Sequence, residues 1–401
     1  MATIPPLDLT QQYQTLAPEL DGAVQELLAS GRYIGGSAVA TFEQAFAQYL
    51  GVPQVVSCNS GTDALRLALR ALDIGPGDEV ITSPFTFFAT AETISVVGAT
   101  PVFVDIDPVS FNLDLQQVAK AITPRTRALM PVHLFGQPVD MERLMTLAQD
   151  YQLRVIEDCA QAAGANWADR KVGSWGDLGC FSFFPTKNLG ACGDGGAIAV
   201  QDPDLALRMR HLKEHGSPQR YYHTELGINS RLDALQAVIL THKLPYLDRW
   251  NAQRRAIADR YGQALAGIPG LIVPQAVAGG TSVWNQYTVR ITGCPGGSLG
   301  RCTAGTQPQS AAPVPPCATP GSPACREWVR QFLLDRGITP MIYYPIPLHQ
   351  QPVYQSLGYH PGQLPQAERL AQEVLSLPLF PELTPSQQDQ VIEALRACGL
   401  T

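Results

Sequence analysis

Residues 79–158 constrain the fold of this chain more than any other stretch, because short apolar runs and amphipathic runs alternate there without interruption. Residues 80–83, 102–105, 128–133 and 154–157 read as strands, and 85–97, 114–121 and 140–151 as helices. Strand then helix, repeated, implies a largely parallel sheet covered by helices on both faces. Such sheets bind ligands beyond the carboxyl ends of their strands. Asp158 falls at such an end, Gln161 lies three residues beyond it, and Phe87 follows another, so all three are candidate site residues.

A second pattern runs from 179 to 196, GCFSFFPTKNLGACGDGG. Its apolar residues 180–184 read as a buried strand, and Pro185 keeps the residue before it extended and ends regular pairing. Lys187 therefore sits on a loop at a strand end. Gly190, Gly193, Gly195 and Gly196 allow close backbone approach before another strand at 197–200. A lysine among apolar neighbours loses charge solvation, so its pKa falls toward the range in which a free amine attacks a carbonyl and forms a Schiff base. Taken alone, the loop reads equally as a turn with an exposed lysine. Upstream, a strand at 55–58, a turn at 59–63 and a helix with Leu65, Leu69 and Leu72 on one face point free N–H groups at an anion. Gly61 and Thr62 are the phosphate candidates, although a plain helix cap would use the same residues.

With 401 residues the chain is long enough for more than one unit. The pattern divides it into a large unit, 1–245, and a smaller C-terminal α/β unit, 246–401, with a low-complexity insertion at 292–324. Helices are expected at 16–30, 38–50 and 201–216. A long helical stretch at 232–265, interrupted at Pro245, bridges the units. In the smaller unit 282–291 and 341–344 read as strands, and 326–336, 367–375 and 385–397 as helices. Net charge is −7 with no Lys/Arg run, which argues against nucleic-acid and membrane partners. No stretch approaches the length of a membrane span and the first residues lack a leader pattern, so a cytoplasmic protein is expected. Among nine cysteines, Cys58, Cys159, Cys180, Cys192 and Cys398 read as reduced. Cys294, Cys302, Cys317 and Cys325 share the insertion region without the spacing of a metal site, and neither a metal nor a disulfide clip is expected there.

Five motifs, taken in order, are CNSGTDAL at 58–65, PFTFFAT at 84–90, EDCAQA at 157–162, SFFPTKNLG at 182–190 and GINSRLD at 227–233. Together with Gly195-Gly196 they resemble the DegT/DnrJ/EryC1/StrS family, pyridoxal-phosphate-dependent sugar aminotransferases of the aspartate-aminotransferase fold, fold type I. The resemblance spans nearly the whole chain apart from the insertion. It implies pyridoxal 5'-phosphate as cofactor, Lys187 as its covalent attachment, Asp158 as partner of the pyridine nitrogen, Gln161 at the ring hydroxyl and Phe87 as the stacking ring. It assigns the phosphate to Gly61, Thr62, Ser182 and, from the other subunit, Asn229, and so implies a homodimer with shared active sites. A carboxylate about 3 Å from a pyridinium at an effective dielectric near 20 gains on the order of 5 kcal/mol, enough for Asp158 to keep the ring protonated.

The implied reaction moves the amino group of glutamate to a nucleotide-linked 3- or 4-keto hexose, as in antibiotic or polysaccharide sugar biosynthesis. Relatives with histidine in place of the lysine act as dehydratases, and Lys187 favours transamination. Arg231 is the candidate for the donor carboxylate, with a surface salt bridge as its plain alternative. His349, in the 343–349 segment, is a candidate near the sugar, or a packed histidine. A regulatory protein that binds the cofactor and senses a metabolite without turnover is the alternative from another class.

Overall fold

The structure, a computed structural model, describes residues 3–293, 321 and 323–400. Its centre is a seven-stranded sheet built from β1 (Gln54–Cys58), β2 (Glu79–Thr82), β3 (Thr100–Phe103), β4 (Thr126–Met130), β5 (Arg154–Asp158), β6 (Leu178–Ser182) and β7 (Gly196–Val200). Across the sheet the order is β1-β7-β6-β5-β4-β2-β3. Strands β2 to β6 pair in parallel. Only β7 is reversed, antiparallel to β1 on one side and β6 on the other. Residues 183–195 therefore return the chain from the carboxyl end of β6 to the start of β7 at the same edge.

Polar caps set the helix starts. Ser60, Asp114, Asp140 and Asp202 each accept a backbone N–H in the first turn of Gly61–Ala71, Leu115–Ala121, Met141–Asp150 and Pro203–Leu212, each cap contributing about 1 kcal/mol. Gly61–Ala71 buries Ala64, Leu65, Ala68 and Leu69 against one face of the sheet. On the other face, Phe42 and Phe46 of Gly36–Leu50 pack on Phe181 and Phe183 edge-to-face.

A smaller sheet joins Leu271–Ile272, Tyr287–Ile291 and Val374–Leu377. It packs with helices Leu247–Leu265, Pro323–Leu334 and Pro385–Ala397 in a separate core. Ile4 also belongs to that core and forms a parallel bridge to Ile338, so the first residues pack with the C-terminal ones. Cys58, Cys159, Cys180, Cys192 and Cys398 are free thiols as expected, whereas Cys325 is disulfide-bonded, contrary to the expectation for the insertion cysteines. Most of 292–324, with Cys294, Cys302 and Cys317, lies outside the described residues.

Several expected elements differ. The strand expected at 341–344 is a single bridge, Met341 to Ser376. Its place is taken by Val374–Leu377, because helix Pro365–Glu373 stops before the apolar run that precedes Pro378. The helix expected from 85 begins at Ala89, where Ser83 instead hydrogen-bonds the backbone of Phe85 and holds the turn open. Only Tyr287–Ile291 of the expected 282–291 is strand. The bridge at 232–265 is two helices, Ala234–Lys243 and Leu247–Leu265, joined by a tight turn at Pro245.

Candidate active site

A cavity of about 690 Å³ opens at the carboxyl edge of the large sheet. The ends of β5 and β6, and the loops after β1, β2, β4, β5 and β6, supply one side of it. The core around residues 284–286, 341–344 and 376–379 supplies the other. Gly61, Thr62, Phe87, Asp158, Gln161, Ser182 and Lys187 all line it.

Asp158 ends β5 and is buried. Thr90 Oγ1 donates to its Oδ2 at 2.8 Å and the Ala160 N–H to its Oδ1 at 3.1 Å. Burial raises its pKa, opposed by those two hydrogen bonds and by the charge of Lys187. The carboxylate thus has too little positive charge around it, and a cation entering the cavity would favour its ionised form. Beneath it lies a buried support. Glu157 accepts the backbone N–H groups of Gly173, Trp175 and Gly176, each at 2.8 Å, and stands 3.0 Å from His133 Nε2. His133 Nδ1 accepts the Val139 N–H, which leaves the ring proton on Nε2 facing Glu157. His133, Glu157 and Cys159 could in principle converge on a metal ion, but these donors already occupy the glutamate oxygens.

Lys187 follows the Phe183–Pro185 bend, its N–H bonded to the Phe184 carbonyl. Burial lowers its pKa to about 8, partly offset by Asp158. The next residue, Asn188, is pinned on three sides. Its Nδ2 donates to Asn251 Oδ1 at 2.7 Å and to the Val283 carbonyl at 2.9 Å, and its Oδ1 accepts Asn285 Nδ2 at 2.8 Å. Asn251 Nδ2 in turn donates to the Ala163 carbonyl. These amides fix the lysine loop to helix Leu247–Leu265 and to the segment before Tyr287.

The phosphate candidates face Ser182. A Cβ added at Gly61 would lie 2.6 Å from that of Ser182, and one at Gly196 would collide with the Ser60 carbonyl. Ser60 Oγ caps the Asp63 N–H, which leaves the N–H groups of Gly61 and Thr62 at the first turn free for an anion. Phe87 is 59% exposed and its ring lies 6.4 Å from that of Tyr344. Gln161 accepts the Phe135 N–H and donates to the Tyr344 hydroxyl at 3.1 Å.

Three expected site residues lie elsewhere. Asn229 is exposed and Arg231 faces Glu214 at 3.4 Å, both outside the cavity lining. Between them Ser230 is buried and bonded to Asp63. His349 is buried against Glu368, with Nδ1 lacking a partner, and it does not line the cavity. The sequence reading missed Thr90, Asn188, Asn251 and Arg254. The last two have a signal: Asn251 and Arg254 occupy the apolar stripe of Leu247–Leu265 with Leu247, Trp250, Ala258 and Tyr261, where a polar side chain needs a reason.

The family model of the DegT/DnrJ/EryC1/StrS aminotransferase family matches residues 14–296 and 301–396. The chain belongs to this family. It is 46% identical over 98% of its length to a "Pleiotropic regulatory protein" of Geobacillus stearothermophilus, covering 97% of that protein. It is 44% identical to a UDP-N-acetyl-3-dehydro-alpha-D-glucosamine 3-aminotransferase of Acidithiobacillus ferrooxidans, covering 98% of this chain and 97% of that one. Its structure matches the crystal structure of Streptomyces venezuelae DesV in complex with a ketimine intermediate. That match has a TM-score of 0.89 at 42% identity, over 99% of this chain and 98% of DesV.

Proposed function

We propose that this protein transfers the amino group of glutamate to a nucleotide-linked 3- or 4-keto hexose, using pyridoxal 5'-phosphate. The observation that carries this is the meeting, in one cavity, of a lysine whose pKa falls to about 8, a buried carboxylate short of positive charge and the first turn of a capped helix. These residues fit the cofactor at three separated points, amine to carbonyl, carboxylate to ring nitrogen, and N–H groups to phosphate. When bound, the cofactor supplies a carbonyl and an electron-withdrawing ring. Lys187 Nζ would hold the cofactor through that carbonyl, and as a free amine it would be placed to give or take a proton at the substrate carbon. Asp158, held by Thr90 and Ala160, keeps the ring nitrogen protonated. Gly61, Thr62 and Ser182 hold the phosphate, Phe87 covers the ring and Gln161 contacts its hydroxyl.

The acceptor class is supported by the aminotransferase named above and by the size of the cavity. The proposal includes a homodimer in which Asn229 reaches the partner's phosphate, and Arg231 and His349 remain candidates for substrate contacts in that assembly. It also includes the division into 1–245 and 246–401, with the 292–324 insertion in the second unit. The free thiols of buried Cys58, Cys159, Cys180 and Cys398 support a cytoplasmic location. Among the described residues no helix is long and apolar enough to cross a membrane.

The regulatory name of one relative favours a second reading, a cofactor-binding sensor without turnover. One experiment separates the two. Protein purified with pyridoxal phosphate is mixed with glutamate, its near-ultraviolet and visible absorbance followed, and a panel of dTDP-, UDP- and GDP-linked keto sugars is then screened by mass spectrometry. Loss of the cofactor's colour with glutamate and an aminated sugar are expected. A coloured protein indifferent to every amino donor would support the sensor, and a protein that takes up no cofactor would sink both readings.

A further inference from the structure

We infer that Arg254 anchors the carboxylate that the amino donor carries on its reacting carbon. This rests on the aminotransferase function proposed above. Arg254 is 4% exposed yet lines the cavity. Its Nη1 donates to the carbonyls of Trp284, Asn285 and Leu379 at 3.3, 3.4 and 3.1 Å, while Nε has no partner. Among the described residues it forms no ion pair, although Glu382 favours its charge at longer range. Burial pulls its pKa down to about 10.

A guanidinium removed from water without an anion is costly, and carbonyl dipoles on one nitrogen compensate it only in part. The edge formed by Nε and Nη2 is the edge that matches two carboxylate oxygens. The other buried Lys and Arg side chains among the described residues lie away from the cavity: Lys213, Lys243 and Arg326 donate to the carbonyls of Ser57, Gly190 and Ala371. Lys187 is the second cation lining the cavity, and the cofactor's carbonyl engages it. The neighbouring Gln286 also lines the cavity and its Oε1 lacks a partner, so this wall holds both an unmet donor and an unmet acceptor. An amino acid presents a carboxylate to that donor wherever its amine approaches the cofactor. Arg231, the candidate read from sequence, is turned to Glu214 within its own chain.

The test uses protein carrying pyridoxal phosphate. Calorimetric titration with 2-oxoglutarate, which cannot react with that form, should show binding weakened on the order of 100-fold in Arg254→Gln and less in Arg254→Lys, the loss expected for a paired charge-assisted contact. Binding of dTDP and UDP should be unchanged. Because Arg254→Gln also removes the three Nη1 hydrogen bonds and can fail to fold, the wild-type protein supplies an independent arm. Glutamate should discharge the cofactor at concentrations on the order of 100-fold lower than its α-amide does. Equal 2-oxoglutarate affinity in folded variants, or an α-amide as effective as glutamate, overturns the inference. Lost nucleotide binding with intact dicarboxylate binding also overturns it and assigns the arginine to a diphosphate. Protein that takes up no cofactor, or responds to no amino donor, refutes the underlying function and takes this inference with it.

Discussion

The lysine loop and the segment from Glu214 to Arg231 both carry residues of the proposed site, but the fold treats them in opposite ways. Around Lys187 the chain is pinned from every side. Asn188 makes three side-chain hydrogen bonds, Ala191 N–H bonds the Phe183 carbonyl and Lys243 bonds the Gly190 carbonyl. The other segment is held near its two ends, where Gly216 and Gly227 meet backbone to backbone, Ser230 bonds Asp63, Arg70 bonds the Leu226 carbonyl and Arg208 pairs with Glu225. Between those ends the chain projects, with Tyr221 83% and Tyr222 62% exposed. Apolar side chains displayed on an anchored arm belong to a surface that something covers. The proposed homodimer would use this contrast, each chain completing the cofactor end of its own site and offering the arm to the other.

The largest expected effect tests the pinned side. Lys187→Ala should abolish transamination while circular dichroism and melting temperature stay near wild type, because the residue stands on a loop outside the apolar clusters and carries chemistry rather than core packing. Global unfolding, or retained turnover, would contradict this. Asp158→Asn should retain the cofactor but lower turnover by roughly two to three orders of magnitude, since an amide cannot stabilise the ring's charge. Near-normal turnover would move that role to another group.

Lys187 also predicts a pH profile. With its pKa lowered from 10.5 to about 8, about a tenth of the amine is neutral at pH 7. Capture of pyridoxal phosphate by the cofactor-free protein should therefore accelerate about fivefold from pH 7 to pH 8 and level off above pH 9, as read by stopped-flow absorbance. The sign for stability follows. Between about 8 and 10.5 the unfolded chain holds a proton here that the folded chain has released, so this residue's penalty is full below pH 8 and fades as pH rises through that window. A capture rate that still rises about eightfold between pH 9 and pH 10 would show an unperturbed lysine.

The smallest effect tests the arm. Mixing Lys187→Ala with Asn229→Ala, each inactive alone, should restore about a quarter of wild-type activity once subunits exchange, because half of the dimers are mixed and each holds one intact site. No recovery after exchange shown by mass spectrometry would mean the arm serves its own chain or none.

These two regions also differ in what the sequence discloses. The strand–helix alternation around Asp158 follows from local period, and a lysine between an apolar strand and four glycines marks a loop against a bulky group. Helix Leu247–Leu265 hid its function inside an apolar stripe, because Asn251 and Arg254 act on segments that are distant in sequence and meet only in the fold. The same reason explains Val374–Leu377, whose strand state depends on pairing with Tyr287–Ile291 rather than on its own pattern. Arg231 looked available from its neighbours alone, and Glu214 was needed to occupy it.

The reversed strand β7 has a consequence for how such a protein can change. It brings Gly196 against the Ser60 carbonyl while Gly61 lies against Ser182, so the distance from lysine to phosphate turn is set where backbone meets backbone and behaves as a fixed gauge. Met341, Tyr343, Tyr344 and Leu377, which also line the cavity, lie outside those backbone contacts and can be exchanged one at a time without altering that gauge. A lineage built this way can explore new acceptors while its chemistry stays in register.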